Sequence, residues 1–303
     1  MKFAGHEGFP LKFGWLKKVY DAAIENKIQN KSINDIFQYD FAIAKFGVGK
    51  NMVDSMKHWS LACRILKNHE NTDKKYELMI TPYGHLLFDE KSADPYLEKA
   101  DSIWLLHWLL ASNDEYSLYF WLFNHYGRSD FSKKTLIKGL EKYYQTSKLP
   151  SINTIHRDFD TLIKSYTSNT TKKITSYEEL VECPFSELSL INKKNATEFS
   201  LDREIKQTLS NEIFLFCLSD YWLKTNANAL QIPSQKIQYE EGSPGRVFCM
   251  NNYDLGDRFN MLAELTNGAL EYSNTSGLDQ IIAKKSIKEI NESFFKKLLR
   301  VNL

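Results

Sequence analysis

The segment FGVGKNMVDSMKHWSLACRIL, residues 46–66, joins a glycine turn to an amphipathic helix. After Gly47 and Gly49, apolar residues recur at the three- and four-residue spacing of one helix face. These residues are Met52, Val53, Met56, Trp59, Leu61, Ala62, Cys63 and Leu66. Three polar residues, Lys50, Asn51 and Lys57, lie mainly on the other face. The pattern predicts a helix with one buried face and one cationic face.

The segments around this helix give it a context. Helices are predicted over 11–28 and around 33–44 before it, and ELMITPYGHLLF at 77–88 has β-hairpin character after it. Helix, turn, amphipathic helix and hairpin follow one another in a winged helix-turn-helix, which places its second helix in a DNA groove. Lys50, Asn51 and Lys57 would then reach phosphates or base edges. An ordinary helical hairpin with charged solvent positions explains the same pattern.

A similar order recurs downstream. Helices are predicted over 132–144 and 152–166, a hairpin over 184–199 and a long apolar helix over 201–222. Residues 131–175 hold nine Lys or Arg against three acidic residues, and Arg157 and Lys164 lie on the outward face of their helix. Such asymmetry on a nearly neutral chain is typical of a phosphate-binding face, and equally of a solvated helical face.

These patterns predict a mainly α fold with short β-hairpins, in the α+β class. We expect tandem winged helix-turn-helix-like units and a C-terminal helical region. The expected division is a winged-helix-like DNA-binding unit over 1–100, an aromatic helical core with a second basic winged-helix-like unit over 101–222, and a C-terminal region over 223–303. The sequence shows no repeat of fixed period, which argues against a solenoid.

Composition narrows the class of protein further. The net charge of +1 excludes a uniformly basic DNA binder. The four cysteines are scattered, so we expect reduced, buried thiols, with two disulfides or one zinc site as the alternatives. No apolar run approaches the ~20 residues that span a bilayer, and the N-terminus lacks the apolar stretch of a signal peptide. We therefore expect a cytoplasmic protein without a membrane partner.

Two short stretches offer catalytic chemistry. In GHEGFP at 5–10, His6 and Glu7 supply a base beside a carboxylate, or two metal ligands; capping of the first helix is the alternative. In DREIK at 202–206, Asp202, Glu204 and Lys206 suit a nuclease in which acids hold Mg²⁺ or Mn²⁺ and a lysine helps to activate water. The start of a helix has the same composition.

Two further features concern phosphate groups. The basic, aromatic segment after GHEGFP adds candidate DNA contacts at Lys12, Lys17 and Lys18. The GVGK at 47–50 lacks the spacing and the following hydroxyl residue of a Walker A loop, so no nucleotide cofactor is expected.

Five blocks of the sequence together resemble a known family. They are GHEGFPLKFGWLKK, FGVGKNMVDSMKHW, TPYGHLLF, SINTIHRDFDTLIKSYT and SPGRVF, in family order from the first residues to about residue 250. They resemble a bacterial family filed as a domain of unknown function, which includes the SspB component of single-strand DNA phosphorothioation systems for antiviral defence. The resemblance implies a DNA-binding protein encoded beside a cysteine desulfurase, an ATPase and a sulfur transferase. It also implies a nicking activity that opens one strand for sulfur insertion.

Three functions follow from these features. The first is a DNA-binding nickase that prepares duplex DNA for phosphorothioation, with metal-dependent endonuclease chemistry at one of the two candidate stretches. The second is a non-catalytic DNA-binding adaptor that recruits the sulfur-transfer enzymes. The third is a transcription regulator, which would require a dimer and a palindromic site.

Overall fold

A computed structural model describes residues 2–70, 76–90, 92, 94–144, 149–168, 183–275 and 277–300. Most of these residues lie in helices, joined by two short 3₁₀ turns at Ile33–Phe37 and Pro184–Leu188. The helices are α1 (Trp15–Ile28), α2 (Tyr39–Phe46), α3 (Lys50–Ala62), α4 (Pro82–Phe88), α5 (Ala100–Ala111), α6 (Ser117–His125), α7 (Lys133–Tyr143), α8 (Ile152–Tyr166), α9 (Asn211–Asn226), α10 (Ser234–Tyr239), α11 (Pro244–Val247), α12 (Asn252–Asn260), α13 (Leu262–Leu265) and α14 (Ile287–Arg300).

The described strands form three small antiparallel sheets. They are β1 (Leu66–Glu70), β2 (Tyr76–Ile80), β3 (Asp130–Ser132), β4 (Ile191–Lys193), β5 (Glu198–Leu201), β6 (Gln231–Pro233), β7 (Leu270–Thr275) and β8 (Leu278–Ala283). The first sheet is the β1–β2 hairpin, and the others have the orders β3-β5-β4 and β6-β8-β7. In both three-stranded sheets a single strand precedes helices, and the second strand of a later hairpin pairs with it. The predicted α+β class is confirmed.

Local sequence signals explain where the N-terminal helices begin and end. The helix predicted over 11–28 begins at Trp15 and not at residue 11, because Gly14 adopts the non-helical φ of 80°. The predicted helix around 33–44 is a 3₁₀ turn followed by α2, because Gln38 is extended between them. Gly47, at φ 68°, ends α2 in the left-handed conformation typical of a helix C-terminus. The predicted amphipathic helix is α3, which ends at Ala62.

One continuous hydrophobic cluster joins all parts of the described chain. It extends from Leu11 to Ile290 and includes nearly the whole of α5, whose Trp104 and Trp108 are buried. The chain breaks between α5 and α6 at 112–116, as the sequence predicted. The expected domain boundaries at 100/101 and 222/223 fall inside α5 and α9, so neither is an exposed linker of the kind that usually separates domains.

Three predictions of secondary structure were wrong. The apolar helix predicted from Leu201 begins at Asn211, because Leu201 pairs in β5 and the Ser210 hydroxyl accepts the N–H of Ile213 as the helix cap. The hairpin predicted over 77–88 is wrong in its second half, because Pro82–Phe88 forms α4 and the partner of β2 is β1, four of whose five side chains are exposed. The C-terminal region is not only helical, since it contains the β6-β8-β7 sheet.

Two further observations concern the cysteines and the membrane. The four cysteines are buried and form no disulfide, as predicted; they are Cys63, Cys183, Cys217 and Cys249. Among the residues described, no helix is long and apolar enough to cross a bilayer.

Candidate functional site

The loop at residues 4–8, called here the N-terminal loop, has an unusual backbone. Four of its residues, Ala4, Gly5, Glu7 and Gly8, have positive φ angles between 46° and 86°. A Cβ atom on Gly5 would lie 2.7 Å from Nδ1 of His58, so a larger residue does not fit there without a shift. The glycines therefore allow the loop to coil tightly against α3.

His6 anchors this loop to α8 from a buried position. Its side chain is almost fully buried, and its Nε2 lies 3.0 Å from Oδ1 of Asp158, which is equally buried. The two atoms are at ion-pair distance but do not make a well-directed hydrogen bond. Nδ1 of His6 accepts the N–H of Gly8 at 3.1 Å, and Oδ2 of Asp158 accepts the N–H of Ala4 at 2.9 Å. Both ring nitrogens of His6 therefore face groups of the protein.

Helix α3 holds the other side of the loop. The Trp59 indole N–H donates to the carbonyl oxygen of Phe9 at 3.1 Å, and the His58 ring packs edge-on against that of His6, with centroids 5.4 Å apart. Burial lowers the pKa of His58 to about 3, with the nearby His6 and Lys2 as smaller causes. His58 is therefore neutral at physiological pH. The loop thus links α3 to α8, the two helices whose outward faces the sequence marks as cationic.

The predicted cations of α3 and α8 are exposed, and one of them, Arg157, lies beside this loop. On α8, Nη1 of Arg157 lies 3.8 Å from Oε2 of Glu7. On α3, Nζ of Lys50 lies 4.5 Å from the ring centre of Tyr39. Partial desolvation raises the pKa of Tyr39, which is otherwise exposed, and so do the Asp54 carboxylate that accepts its hydroxyl and the nearby charge of Glu7.

The remaining residues of this group follow from helix geometry. Lys57 lies seven residues after Lys50, and Lys164 seven after Arg157, so each pair shares one helix face. Asn51, Lys57 and Lys164 are all exposed. In the described parts of the chain, Lys50, Lys57 and Lys164 form no ion pair. We call Lys50, Asn51, Lys57, Arg157 and Lys164 the α3/α8 cationic face.

The three lysines near α1 are placed differently. Lys17 is mostly buried, and its Nζ lies 2.5 Å from Oδ1 of Asp21. Nζ of Lys18 donates to the carbonyl oxygen of Phe46 at 2.9 Å, where it neutralises the C-terminal end of α2. Lys12 is half-buried, with its Nζ 5.9 Å from the ring centre of Trp15. Lys17 and Lys18 thus have intramolecular roles that leave their ammonium groups less available to DNA than those of α3 and α8.

The second candidate stretch lies in the loop that follows β5. The Lys206 ammonium is buried and pairs with the Asp202 carboxylate, and it also donates to the carbonyl oxygen of Asp202 at 3.0 Å. Glu204 is exposed. Arg258 holds the loop from the other side, because its guanidinium donates to the carbonyl oxygens of Lys206 and Leu209 at 3.2 and 2.9 Å. The structure therefore pairs Asp202 with Lys206 and does not bring Glu204 to them.

The carboxylates of the two candidate regions, Asp202 and Asp158, are not arranged to bind a magnesium ion. Mg²⁺ prefers oxygen ligands in octahedral geometry. The Asp202 carboxylate is already neutralised by Lys206, and that of Asp158 is occupied by His6 and the Ala4 N–H. Among the described residues, no group of three or more His, Cys, Asp or Glu side chains is placed to hold a metal ion. The candidate residues do not form a preassembled metal centre.

Sequence reasoning missed two residues that contact His6 of the N-terminal loop, Asp158 and His58. Asp158 lies three residues after Ile155 and four before Leu162, on the apolar stripe of α8. An acid on such a stripe indicates a buried partner, because a carboxylate is rarely buried unpaired. The sequence could have marked Asp158 as unusual, but it could not identify His6, 152 residues away, as the partner.

Comparison with known proteins adds family and fold relationships. A family model described as "Protein of unknown function (DUF4007)" matches residues 3–299. No curated protein matches the chain. Two solved structures are similar to this chain, and in each case the match covers 99% of this chain and 88% of the solved chain. One is a magnesium ion-bound SspB crystal structure, with 26% identity and a TM-score of 0.86, and the other is an SspB crystal structure, with 27% identity and a TM-score of 0.85.

Proposed function

Since this chain belongs to the DUF4007 family, which includes SspB, we propose that it is the DNA-binding component of a bacterial phosphorothioation defence system and nicks one strand for sulfur incorporation. The similarity in fold to SspB extends over nearly the whole chain. The system would supply its partners: an ATPase, a sulfur transferase and a cysteine desulfurase. Mg²⁺ or Mn²⁺ would be the cofactor of the nicking step.

The connectivity of the sheets supports DNA binding by winged-helix units. In both three-stranded sheets a single strand is followed by helices and then by a hairpin whose second strand pairs with that first strand. This order is compatible with a winged-helix unit. In a unit built on the β3-β5-β4 sheet, α7 and α8 would be the two helices of the helix-turn-helix. At the N-terminus, α2 and α3 precede the β1–β2 hairpin in the same order. Helices α3 and α8 are thus the ones that would enter a groove.

The observation that carries the proposal is the α3/α8 cationic face. The N-terminal loop fixes the two helices to each other through His6, Asp158 and Trp59. Among the described residues, Lys50, Lys57 and Lys164 on these two helices form no ion pair, and Arg157 lies beside Glu7 of the loop. A duplex that carries one negative charge per about 1.7 Å favours such a cationic surface by counterion release. Direct phosphate contacts by Lys57 and Lys164 are therefore expected.

A non-catalytic adaptor is the second candidate, and a specific observation favours it. His6 faces Gly8 and Asp158 with its two nitrogens, and Asp202 is neutralised by Lys206. In this arrangement neither His6 nor Asp202 presents a free base or a free carboxylate to a phosphodiester. Glu7 and Glu204, which are less enclosed, remain the carboxylates to test for chemistry.

A plasmid-nicking assay separates the two candidates. Purified protein is incubated with supercoiled plasmid in Mg²⁺, in Mn²⁺ and in EDTA, alongside the variants Glu7→Gln and Asp202→Asn/Glu204→Gln. Metal-dependent open-circle product that one variant loses, while its DNA binding is retained, supports the nickase. Plasmid that stays supercoiled under every condition, with binding intact, contradicts the nickase and supports the adaptor. Loss of binding to any duplex would contradict both.

A further inference from the structure

A second cationic surface lies between α6 and α7, away from the contacts described so far. It is an open groove of about 680 Å³, within the size range of ligand pockets. Its floor and rim combine aromatic and cationic side chains, namely Trp121, Tyr126, Tyr143, Arg128, Lys138 and Lys142. We call this surface the α6–α7 groove.

The charges of this groove are unfavourable for the fold alone. Lys134, Lys138 and Lys142 follow one another at four-residue spacing on α7, and like charges at this spacing destabilise a helix. Arg128 adds a further positive charge to the lining. Among the described residues, none of these four side chains forms an ion pair, although Glu241 lies 3.2 Å from Nε2 of the neighbouring His125. An anionic ligand would relieve this repulsion.

The aromatic lining indicates what kind of anion fits. Gly139 lets α7 approach Trp121 closely, because a Cβ there would lie 2.8 Å from the indole ring. Tyr143 is 45% exposed at the rim, and its ring lies against that of His125 with centroids 4.3 Å apart. The Tyr143 hydroxyl is also 2.9 Å from Nε2 of His125, which holds the ring in place. A supported, accessible ring beside lysines suits a planar base that is attached to phosphates.

We propose that the α6–α7 groove binds a few nucleotides of single-stranded DNA, with Lys138, Lys142 and Arg128 on the phosphates and Tyr143 stacked on a base. Proteins that bind single strands combine a cationic groove with aromatic platforms in this way. Because the groove is open and its cations are exposed, a continuing strand can pass along it. The inference rests on the proposed function in one respect: nicking and opening of a duplex would supply the single strand.

The test measures binding of a fluorescein-labelled oligo-dT and of a labelled blunt duplex by anisotropy, with wild type and three charge variants. The groove variant is Lys138→Glu/Lys142→Glu. The duplex variant is Lys57→Glu/Lys164→Glu. The control is Lys288→Glu/Lys296→Glu on α14, which makes the same change in net charge at exposed positions outside both surfaces. Circular dichroism checks the folding of each.

We expect the groove variant to bind oligo-dT about tenfold or more weakly than the control, with duplex affinity equal to that of the control. Changing Lys138 and Lys142 to Gln should lower the log–log slope of oligo-dT affinity against salt by about 1.4, because each lysine bound to a single-strand phosphate accounts for about 0.7 of that slope. Tyr143→Ala should weaken oligo-dT binding about fivefold or more. Tyr143→Phe, which loses the hydroxyl contact but keeps the ring and its packing on His125, should weaken binding less than Tyr143→Ala does.

Other outcomes overturn the inference or the proposed function separately. Equal losses of oligo-dT affinity in the groove variant and the control would overturn the inference about the groove, and so would a wild type that does not bind oligo-dT. Neither result would contradict the proposed binding of duplex DNA. Displacement of oligo-dT by free dTMP as effectively as by unlabelled oligo-dT, at equal nucleotide concentration, would also overturn it, because the site would then bind mononucleotides. Oligo-dT binding that depends on the groove, in a protein that binds no duplex, would support the groove and contradict the proposed function.

Discussion

Replacement of His6 by Ala tests whether the N-terminal loop is fixed by a buried pair. Asp158 is 3% exposed in the wild type, and the variant leaves its carboxylate with the Ala4 N–H as the remaining partner. Removing the group that faces a buried carboxylate costs about 3–5 kcal/mol, because the charge of the carboxylate stays desolvated. Since the Ala4 hydrogen bond remains, we expect the lower end, about 3 kcal/mol, out of the roughly 5–15 kcal/mol typical of a folded protein.

The assay is urea unfolding followed by tryptophan fluorescence at pH 7.5, with His6→Ala, Asp158→Ala and the double variant. His156→Ala, on the same helix but outside the pair, is the matched control and should cost less than about 1 kcal/mol. If the pair acts as a unit, the double variant is less destabilised than the two single costs added together, by about 1 kcal/mol or more. Costs that simply add, or a His6→Ala cost equal to that of the control, would refute the pairing.

Further predictions concern the loop, its histidine neighbour and the second buried pair. Gly5→Ala should lower the melting temperature more than Gly14→Ala, because both sites have φ near 80° but only the Gly5 Cβ meets a side chain, 2.7 Å away; equal shifts would contradict the close contact. The pKa of His58 is lowered to about 3 in the folded protein, so as the pH falls the histidine binds a proton in the unfolded chain before it does so in the folded protein. The free energy of unfolding therefore decreases as the pH drops below about 6.5. Between pH 7 and pH 5 the free energy of unfolding of the wild type should therefore decrease by about 2 kcal/mol more than that of His58→Phe. Equal decreases in the two proteins would place the pKa of His58 near its ordinary value. Asp202→Ala, which strands a buried ammonium, should destabilise the fold by about 1–3 kcal/mol, more than Lys206→Met does, and urea unfolding that gives the reverse order would contradict the burial of Lys206.

Patterns within one segment were the predictable part of this fold. Helix α3 could be predicted because its apolar residues repeat at helical spacing after a glycine turn, and α8 because a Ser cap precedes a similar stripe. Strand β1 could not be predicted, since its exposed Lys67–Glu70 stretch has no apolar alternation. Helix α9 begins ten residues later than its apolar run predicts, because that run includes a residue of β5. The family resemblance could be predicted because it rests on several blocks in order, and the family model that matches residues 3–299 confirms it.

The candidate site depends on contacts between distant residues. The sequence singles out His6 for its neighbour Glu7, but in the structure it pairs with Asp158, and its ring packs against His58. Such contacts follow from the packing of α3 and α8 around the loop, which no local pattern encodes. The same limit applies to Lys18, whose sequence suggests a DNA contact and whose ammonium instead binds the end of α2.

The central claim is that α3 and α8 present one DNA-binding face, and the salt dependence of duplex binding tests it most directly. Affinity is measured by anisotropy across a range of NaCl concentrations for wild type, Lys57→Gln, Lys164→Gln, the double variant and a Lys288→Gln/Lys296→Gln control. If both lysines contact phosphates, each single variant lowers the log–log slope by about 0.9 and the double variant by about twice that, while the control does not change it. A double variant with the wild-type slope would contradict the claim, and a change confined to one helix would show that α3 and α8 do not bind the same duplex.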